Sequence, residues 1–125
     1  MPHERQKYGQ SSEKLASGFL VAEGYRIIET NYKNRFGEID IIAADGESIV
    51  FIEVKSRRSG RFGPAKASIS RLKQRKISMV ALGYLKSKGA VGKKARFDVV
   101  AIDSRASEPG ERVALIKNAF ELAYG

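Results

Sequence analysis

The sequence contains no cysteine and only one histidine, His3, close to its beginning. The first absence rules out a disulfide framework and a thiolate-held zinc. The second leaves no side chains for a histidine-ligated metal or a Ser-His-Asp triad. Any metal must then sit on oxygen ligands, which points to Mg²⁺ or Mn²⁺. No apolar run approaches the roughly 20 residues that span a bilayer. The opening MPHERQKYGQ is polar and charged, unlike a signal peptide, so the expectation is a cytosolic protein. The glycines form no phosphate-cradling G-x-x-x-x-G-K motif. There are no repeats and no long linker. A length of 125 residues then predicts one domain, 1–125, with a core of its own.

Negative charge is missing in one particular place. Between Val54 and Phe97 there is no Asp or Glu, yet fourteen Lys or Arg fall in that window, in a chain of net charge +9. A field of one sign attracts a polyanion, and nucleic acid is the expected partner. A basic surface without a specific partner is the alternative that charge by itself leaves open.

Apolar periodicity lays out the elements. Leu15, Ala16, Phe19, Leu20 and Ala22 recur at helical spacing over residues 11–23, with Ser11 or Ser12 as cap and Gly24 as stop. Strands are expected over 25–33, 38–44 and 48–56. Asp45-Gly46 between the last two marks a hairpin. The segment 57–66, with two Gly, a Pro and four cations, reads as a loop. A long helix is expected over 67–88, with Ile77, Val80, Ala81, Tyr84 and Leu85 as its apolar stripe. Strands over 96–103 and 112–117 and a short helix from Asn118 to Tyr124 complete the order. The expected class is α/β, a mixed sheet with flanking helices in the order α-β-β-β-α-β-β. Consecutive strands pair antiparallel, and the long helix permits a parallel crossover.

Residues two apart on a strand share a face. Glu53 and Lys55 therefore stand together with Ile49 and Phe51, while Val50, Ile52 and Val54 face the core. Glu38 and Asp40 share a face of the preceding strand. Folding about Asp45-Gly46 brings Asp40 near Glu53, and a small register offset sets them across from each other. Opposed like charges are unfavourable, and a hard divalent ion relieves them. Such an ion lowers the pKa of a bound water and stabilises charge on a phosphate. The Lys55 ammonium can orient that water or stabilise the transition state. This is the minimum equipment for metal-assisted phosphodiester hydrolysis. Glu-x-Lys alone is equally an ordinary surface ion pair of little energetic worth.

Asp on one strand and Glu-x-Lys on the next resembles the PD-(D/E)xK nucleases of restriction-endonuclease-like fold. The resemblance implies that Asp40 and Glu53 bind Mg²⁺ and that Lys55 assists the attacking water. Ile39 stands where the namesake Pro often lies. The blocks GYRIIETNYK, FGEIDIIAAD, IVFIEVKSR, KQRKI and RFDVVAI resemble the YraN family of small bacterial proteins over roughly residues 9–120. That family is in turn similar to archaeal-type Holliday junction resolvases. The similarity implies branched or structured DNA as substrate, a homodimer, and one further metal-site Glu on the first helix. The matching residue is Glu13 in SSEKLA, where Ser12 replaces the usual Gly. On a helical projection Glu13 lies at the edge of the apolar stripe, so it either reaches inward or is a solvated carboxylate near the helix start.

Glu38 is a secondary candidate, ready either to join Asp40 or to pair with a cation. Arg57, Arg58, Arg61, Lys66, Lys73 and Arg75 are candidate phosphate contacts, which give affinity without sequence information. Phe62, between Arg61 and Gly63, is the aromatic placed to meet a base, whereas the five tyrosines read as packing groups. The alternatives to a nuclease are a nucleic-acid-binding module without turnover and an adaptor that binds a protein through its basic face.

Overall fold

The computed structural model describes residues 2–57, 69–103 and 112–121, with side chains over 12–56, 69–103 and 113–121. Its elements run α1 (Pro2–Ala22), β1 (Arg26–Asn34), β2 (Gly37–Asp45), β3 (Ser48–Arg57), α2 (Arg71–Ser87), β4 (Ala95–Asp103) and β5 (Arg112–Phe120). The five strands form one sheet in sequence order. β1–β2, β2–β3 and β4–β5 pair antiparallel, and β3 pairs parallel with β4 through α2. This is the expected order and class. Among the described residues no helix is long and apolar enough to cross a membrane.

The sheet is buried on both faces. Ala16 and Leu20 of α1 pack with Ile41, Ala43, Val50, Ile52, Val100 and Ile102. On the other face Ile77, Val80, Ala81, Tyr84 and Leu85 of α2 cover Ile39, Ile42, Phe51 and Phe97. The Ile49–Phe51 side of β3, read from sequence as the side away from the core, is therefore a second core face under α2. Phe51 is 1% exposed, and its ring meets those of Tyr84 and Phe97 edge-on and tilted. Central strands with helices on both faces must be apolar on both sides. That explains the near-continuous Ile-Val-Phe-Ile run of β3.

Local rules set most boundaries. Gly24, at φ 96°, stops α1, and Tyr25 N–H turns back to the Leu20 carbonyl at 2.9 Å. Ser70 caps α2 by accepting the Lys73 N–H at 3.1 Å. The second helix is thus Arg71–Ser87 rather than 67–88. The first begins at Pro2, well before the expected cap at Ser11 or Ser12. Ser12 lies inside the helix, and the Ser56 hydroxyl donates to its Oγ at 2.7 Å, fastening α1 to β3. The expected terminal helix at Asn118 is absent. β5 continues to Phe120, whose ring stacks on Phe97 at 4.7 Å. Residues 122–124 of that expectation, and the loop read over 58–66, lie outside the described residues.

Both edge strands are irregular. β1 inserts one extra residue, Ile28, between the pairs Ile27–Ala43 and Glu29–Ile42, and Asn31 adopts φ 53°. β5 bulges between its pairings with Phe97 and Val99, where Asn118 also adopts φ 53° and donates its N–H to Asp98 at 2.9 Å. Asn tolerates this left-handed region better than most residues.

Asp98 is fully buried, and its carboxylate is satisfied on every side. Tyr25 donates to it at 2.7 Å, and Arg96 at 3.0 and 3.1 Å. Arg96 also reaches Asp45 at 2.6 Å, beside the β2–β3 turn. Burial and the neighbouring carboxylate push the Tyr25 phenol well above its ordinary range, while Arg96 holds the Asp45 carboxyl below its own.

A two-sided core makes a measurable demand. Phe51→Ala is expected to lower unfolding free energy by roughly 3–5 kcal/mol in urea titration. Leu72→Ala, at a side chain 62% exposed, is expected to change it by less than about 0.5 kcal/mol.

Candidate metal and phosphate site

The β2–β3 register positions the site. Asp45 pairs with Ser48, so the turn residues are Gly46, at φ 60°, and Glu47, one position beyond the expected Asp45-Gly46. This supplies the offset that the sequence reading required. The last paired couple is Ile41–Ile52, and the next step along the two strands is Asp40 and Glu53. There the strands part, and the Asp40 side chain replaces a backbone partner: Val54 N–H donates to its Oδ2 at 2.8 Å.

The Glu53 carboxylate lies close enough to Asp40 to act on its titration. Burial is the largest cause that raises the Asp40 pKa, to about 7. The hydrogen bond and negative charge of Glu53 add to it, against Val54 N–H and Lys73. Lys73 Nζ lies 3.3 Å from Glu53 Oε2. Lys55 is half-buried two residues after Glu53 on β3. Asp40, Glu53 and Lys73 thus come together where β2 and β3 meet the N-terminal end of α2, with Lys55 two residues along β3 from Glu53.

Glu13 is near but not part of the pair. Burial holds its carboxyl above the ordinary range, Asn31 opposes this by a hydrogen bond, and the charges of Asp40 and Glu38 add to the rise. It lines a cavity of about 340 Å³ with Lys14, Ser17 and Thr30, between α1 and β1. Among the described residues no three His, Cys, Asp or Glu side chains form a metal-holding group. Glu38 is exposed and pairs with Lys33 at 3.9 Å, the cation partner foreseen as its alternative.

The cation candidates divide. Lys73 reaches the carboxylates, and Arg75 stands exposed on the same helix. The side chain of Arg57, together with Arg58, Arg61, Phe62 and Lys66, lies outside the described residues. The first turn of α2 carries no acid, and Arg71, Lys73 and Arg75 sit at the positive end of its dipole. That placement is locally unfavourable, and it concentrates positive potential beside Glu53. Sequence reasoning placed Lys73 among phosphate contacts and missed its pairing with Glu53. It also missed Asn31 as the partner of Glu13. The Asn in an otherwise β-prone strand was the only available signal.

The sequence has known relatives. A model described as "Uncharacterised protein family UPF0102" matches residues 12–102, from α1 through β4. The chain belongs to the UPF0102 family. It is 51% identical over 117 residues to a UPF0102 protein of Syntrophus aciditrophicus, covering 94% of this chain and 91% of the relative. UPF0102 protein GSU0650 of Geobacter sulfurreducens is 44% identical over 122 residues, covering 98% and 94%. A UPF0102 protein of Moorella thermoacetica is 44% identical over 120 residues, covering 96% and 100%. Whole-length matches to proteins of similar size carry the family assignment across all the elements described.

The raised Asp40 pKa has a signed consequence. An Asp whose folded pKa is raised favours the folded state below its unfolded pKa, near 4. That contribution is lost as pH rises through about 7. Asp40→Asn, which keeps an acceptor for Val54 N–H, is therefore expected to stabilise the metal-free protein at pH 8, by roughly 1–3 kcal/mol. No gain is expected at pH 3.5. Thermal melts of both proteins at the two pH values check this.

Proposed function

We propose that this UPF0102 protein is a Mg²⁺- or Mn²⁺-dependent nuclease of PD-(D/E)xK type that hydrolyses phosphodiester bonds of DNA, branched or structured DNA in particular. The observation that carries the reading is the Asp40–Glu53 pair, two carboxylates side by side at a strand end with Lys73 beside Glu53 and Lys55 two residues further along β3. Without a cation, one carboxylate must keep a proton near neutral pH. An oxygen-liganded divalent ion can take the place of that proton, so the donor set fits Mg²⁺ or Mn²⁺. Asp40 and Glu53 would hold it, and Glu13, whose carboxyl feels the Asp40 charge, is the further acid in the neighbourhood.

When bound, such an ion acidifies water and neutralises charge on phosphate. The chain's own residues supply the rest. Val54 N–H fixes the Asp40 carboxylate, so its orientation is set before substrate arrives. Lys55 holds the attacking water, and its ammonium opposes the negative charge that builds on the phosphoryl oxygens. Lys73, now on Glu53, would be a second cation able to meet a phosphate oxygen. Arg75 and the cations of segment 57–66 extend the contact along the backbone. Cutting two strands of a branched molecule requires two such sites, so the proposal carries a homodimer with it.

The test is cleavage of duplex, single-stranded, flap and four-way-junction DNA with Mg²⁺ or Mn²⁺. Wild type is expected to cut at least one of these. Asp40→Ala and Glu53→Ala are expected to lose at least about a hundredfold in rate, and Lys55→Ala a comparable amount. Equal residual cutting by wild type and variants would sink the reading.

One observation favours a second reading. Lys73 already supplies Glu53 with a positive partner, and the three acidic candidates do not gather into one group. A nucleic-acid-binding module without turnover fits this arrangement. It is distinguished by tight, salt-dependent DNA binding with no product under either metal.

A further inference from the structure

The β1–β2 hairpin ends at the same end of the sheet as Asp40, three residues before it on β2, and its tip is pinned. Asn34 Nδ2 donates to the Val80 carbonyl of α2 at 3.1 Å, and Phe36 N–H donates to Asn34 Oδ1 at 2.9 Å. The helix admits this contact only because residue 83 is glycine. A Cβ there would stand 2.8 Å from Asn34 Nδ2 and 3.7 Å from the Phe36 ring. Gly37, at φ 144°, passes Val80 closely: a Cβ on it would meet the Val80 side chain at 3.3 Å. A short hairpin tip held by a side chain, a turn and two glycines is a rigid mount.

What the mount presents is an aromatic ring and a cation. Phe36 is 37% exposed, and the Arg35 guanidinium lies over its ring at 4.8 Å from the centroid. The ring stands at the edge of the helix with a guanidinium as its outer cover. Helical spacing links this tip to the candidate site, because residues 83, 80, 76 and 73 follow one another three or four apart along one side of α2. The line runs from Gly83 under Phe36, past Val80, to exposed Lys76, and ends at Lys73 on Glu53. Its length is about 15 Å. That spans about four nucleotides of a duplex strand at about 3.4 Å per phosphate, and fewer of an extended strand.

We propose that Phe36 and Arg35 form a stacking platform for an unpaired base of a nucleic-acid strand whose backbone follows Lys76 and Lys73 toward the Asp40–Glu53 site. The inference rests on the nuclease reading for that site and adds the substrate feature it selects. An incoming base takes the place of the guanidinium over the Phe36 ring, and Arg35 turns to the adjoining phosphate. Base–aromatic stacking tolerates any sequence, because every base has a π-face. The platform therefore selects for strands with unstacked bases, such as flaps, junction arms and single strands, over closed duplex. The exposed Phe thus has a role that charge alone does not supply.

The chain has no tryptophan, so Phe36→Trp introduces a single reporter on the platform. Its emission is measured in EDTA, so that turnover plays no part, during titration with oligo-dT, blunt duplex DNA and heparin. Fluorescence anisotropy of labelled ligand follows binding separately. Oligo-dT is expected to quench the reporter on binding. Heparin, a polyanion without bases, is expected to bind without quenching. Phe36→Ala is expected to weaken oligo-dT roughly tenfold and to leave heparin affinity unchanged, with thermal melts confirming that both variants fold. Oligo-dT that binds without quenching overturns the platform and leaves the nuclease reading standing. Failure of every nucleic acid to bind overturns both. DNA cleavage that is lost in Asp40→Ala, alongside an unquenched reporter, confines the failure to the platform.

Discussion

The register between β2 and β3 is the constraint on which the site depends. Side chains on a strand alternate faces, so a slip of one residue would send Asp40 to the opposite face from Glu53. It would also turn Ile41 and Ile42 onto the wrong cores. The register is held from both ends. At the turn, Gly46 takes a conformation that favours glycine, and Arg96 clamps Asp45 from the neighbouring strand. At the far end, where the ladder stops, the Asp40 side chain bonds Val54 N–H in place of a strand partner. The same geometry that ends the pairing thus creates the carboxylate pair.

Two kinds of buried charge coexist in this sheet, and they are handled in opposite ways. Asp98 is fully buried and surrounded by donors from Arg96, Tyr25 and the Asn118 backbone. It is an acceptor with nothing left to bind. Asp40 is also largely enclosed, but beside another carboxylate, with one backbone donor and a lysine as its favourable neighbours. The first arrangement is closed and structural. The second sets two carboxylates side by side, and a raised Asp40 pKa is the result.

Much of this was legible in the sequence, for definite reasons. The stripe Ile77, Val80, Ala81, Tyr84 and Leu85 has a helical period that no other structure would bury. Asp45-Gly46 announced the hairpin, and the two acids that flank it could be counted toward each other. The misreadings also have physical causes. Asn118 and Ala119 are poor strand formers, and the segment stays in β5 through a bulge where Asn118 N–H bonds the Asp98 side chain. Phe51 was set on the outer face because alternation shows which residues share a face, not what covers it. That was decided by α2, whose crossing also brings Lys73 to Glu53, a contact between residues twenty apart that no local pattern encodes. The helix from Pro2 starts among polar residues that give no periodic signal. Residues 58–66, rich in cations, lie outside the described residues, so their reading stands as an expectation.

The two asparagines with left-handed backbone, Asn31 and Asn118, have a consequence beyond local geometry. They are the only non-glycine residues with positive φ among those described, and they lie one on each edge strand of an otherwise regular sheet. An open sheet offers two rows of unsatisfied amides and carbonyls to any passing copy of itself, the template on which fibrils grow. A kink in each outer strand breaks the straight row that end-to-end growth requires. The two kinks thus work against edge-to-edge growth from a long, apolar, strand-rich core.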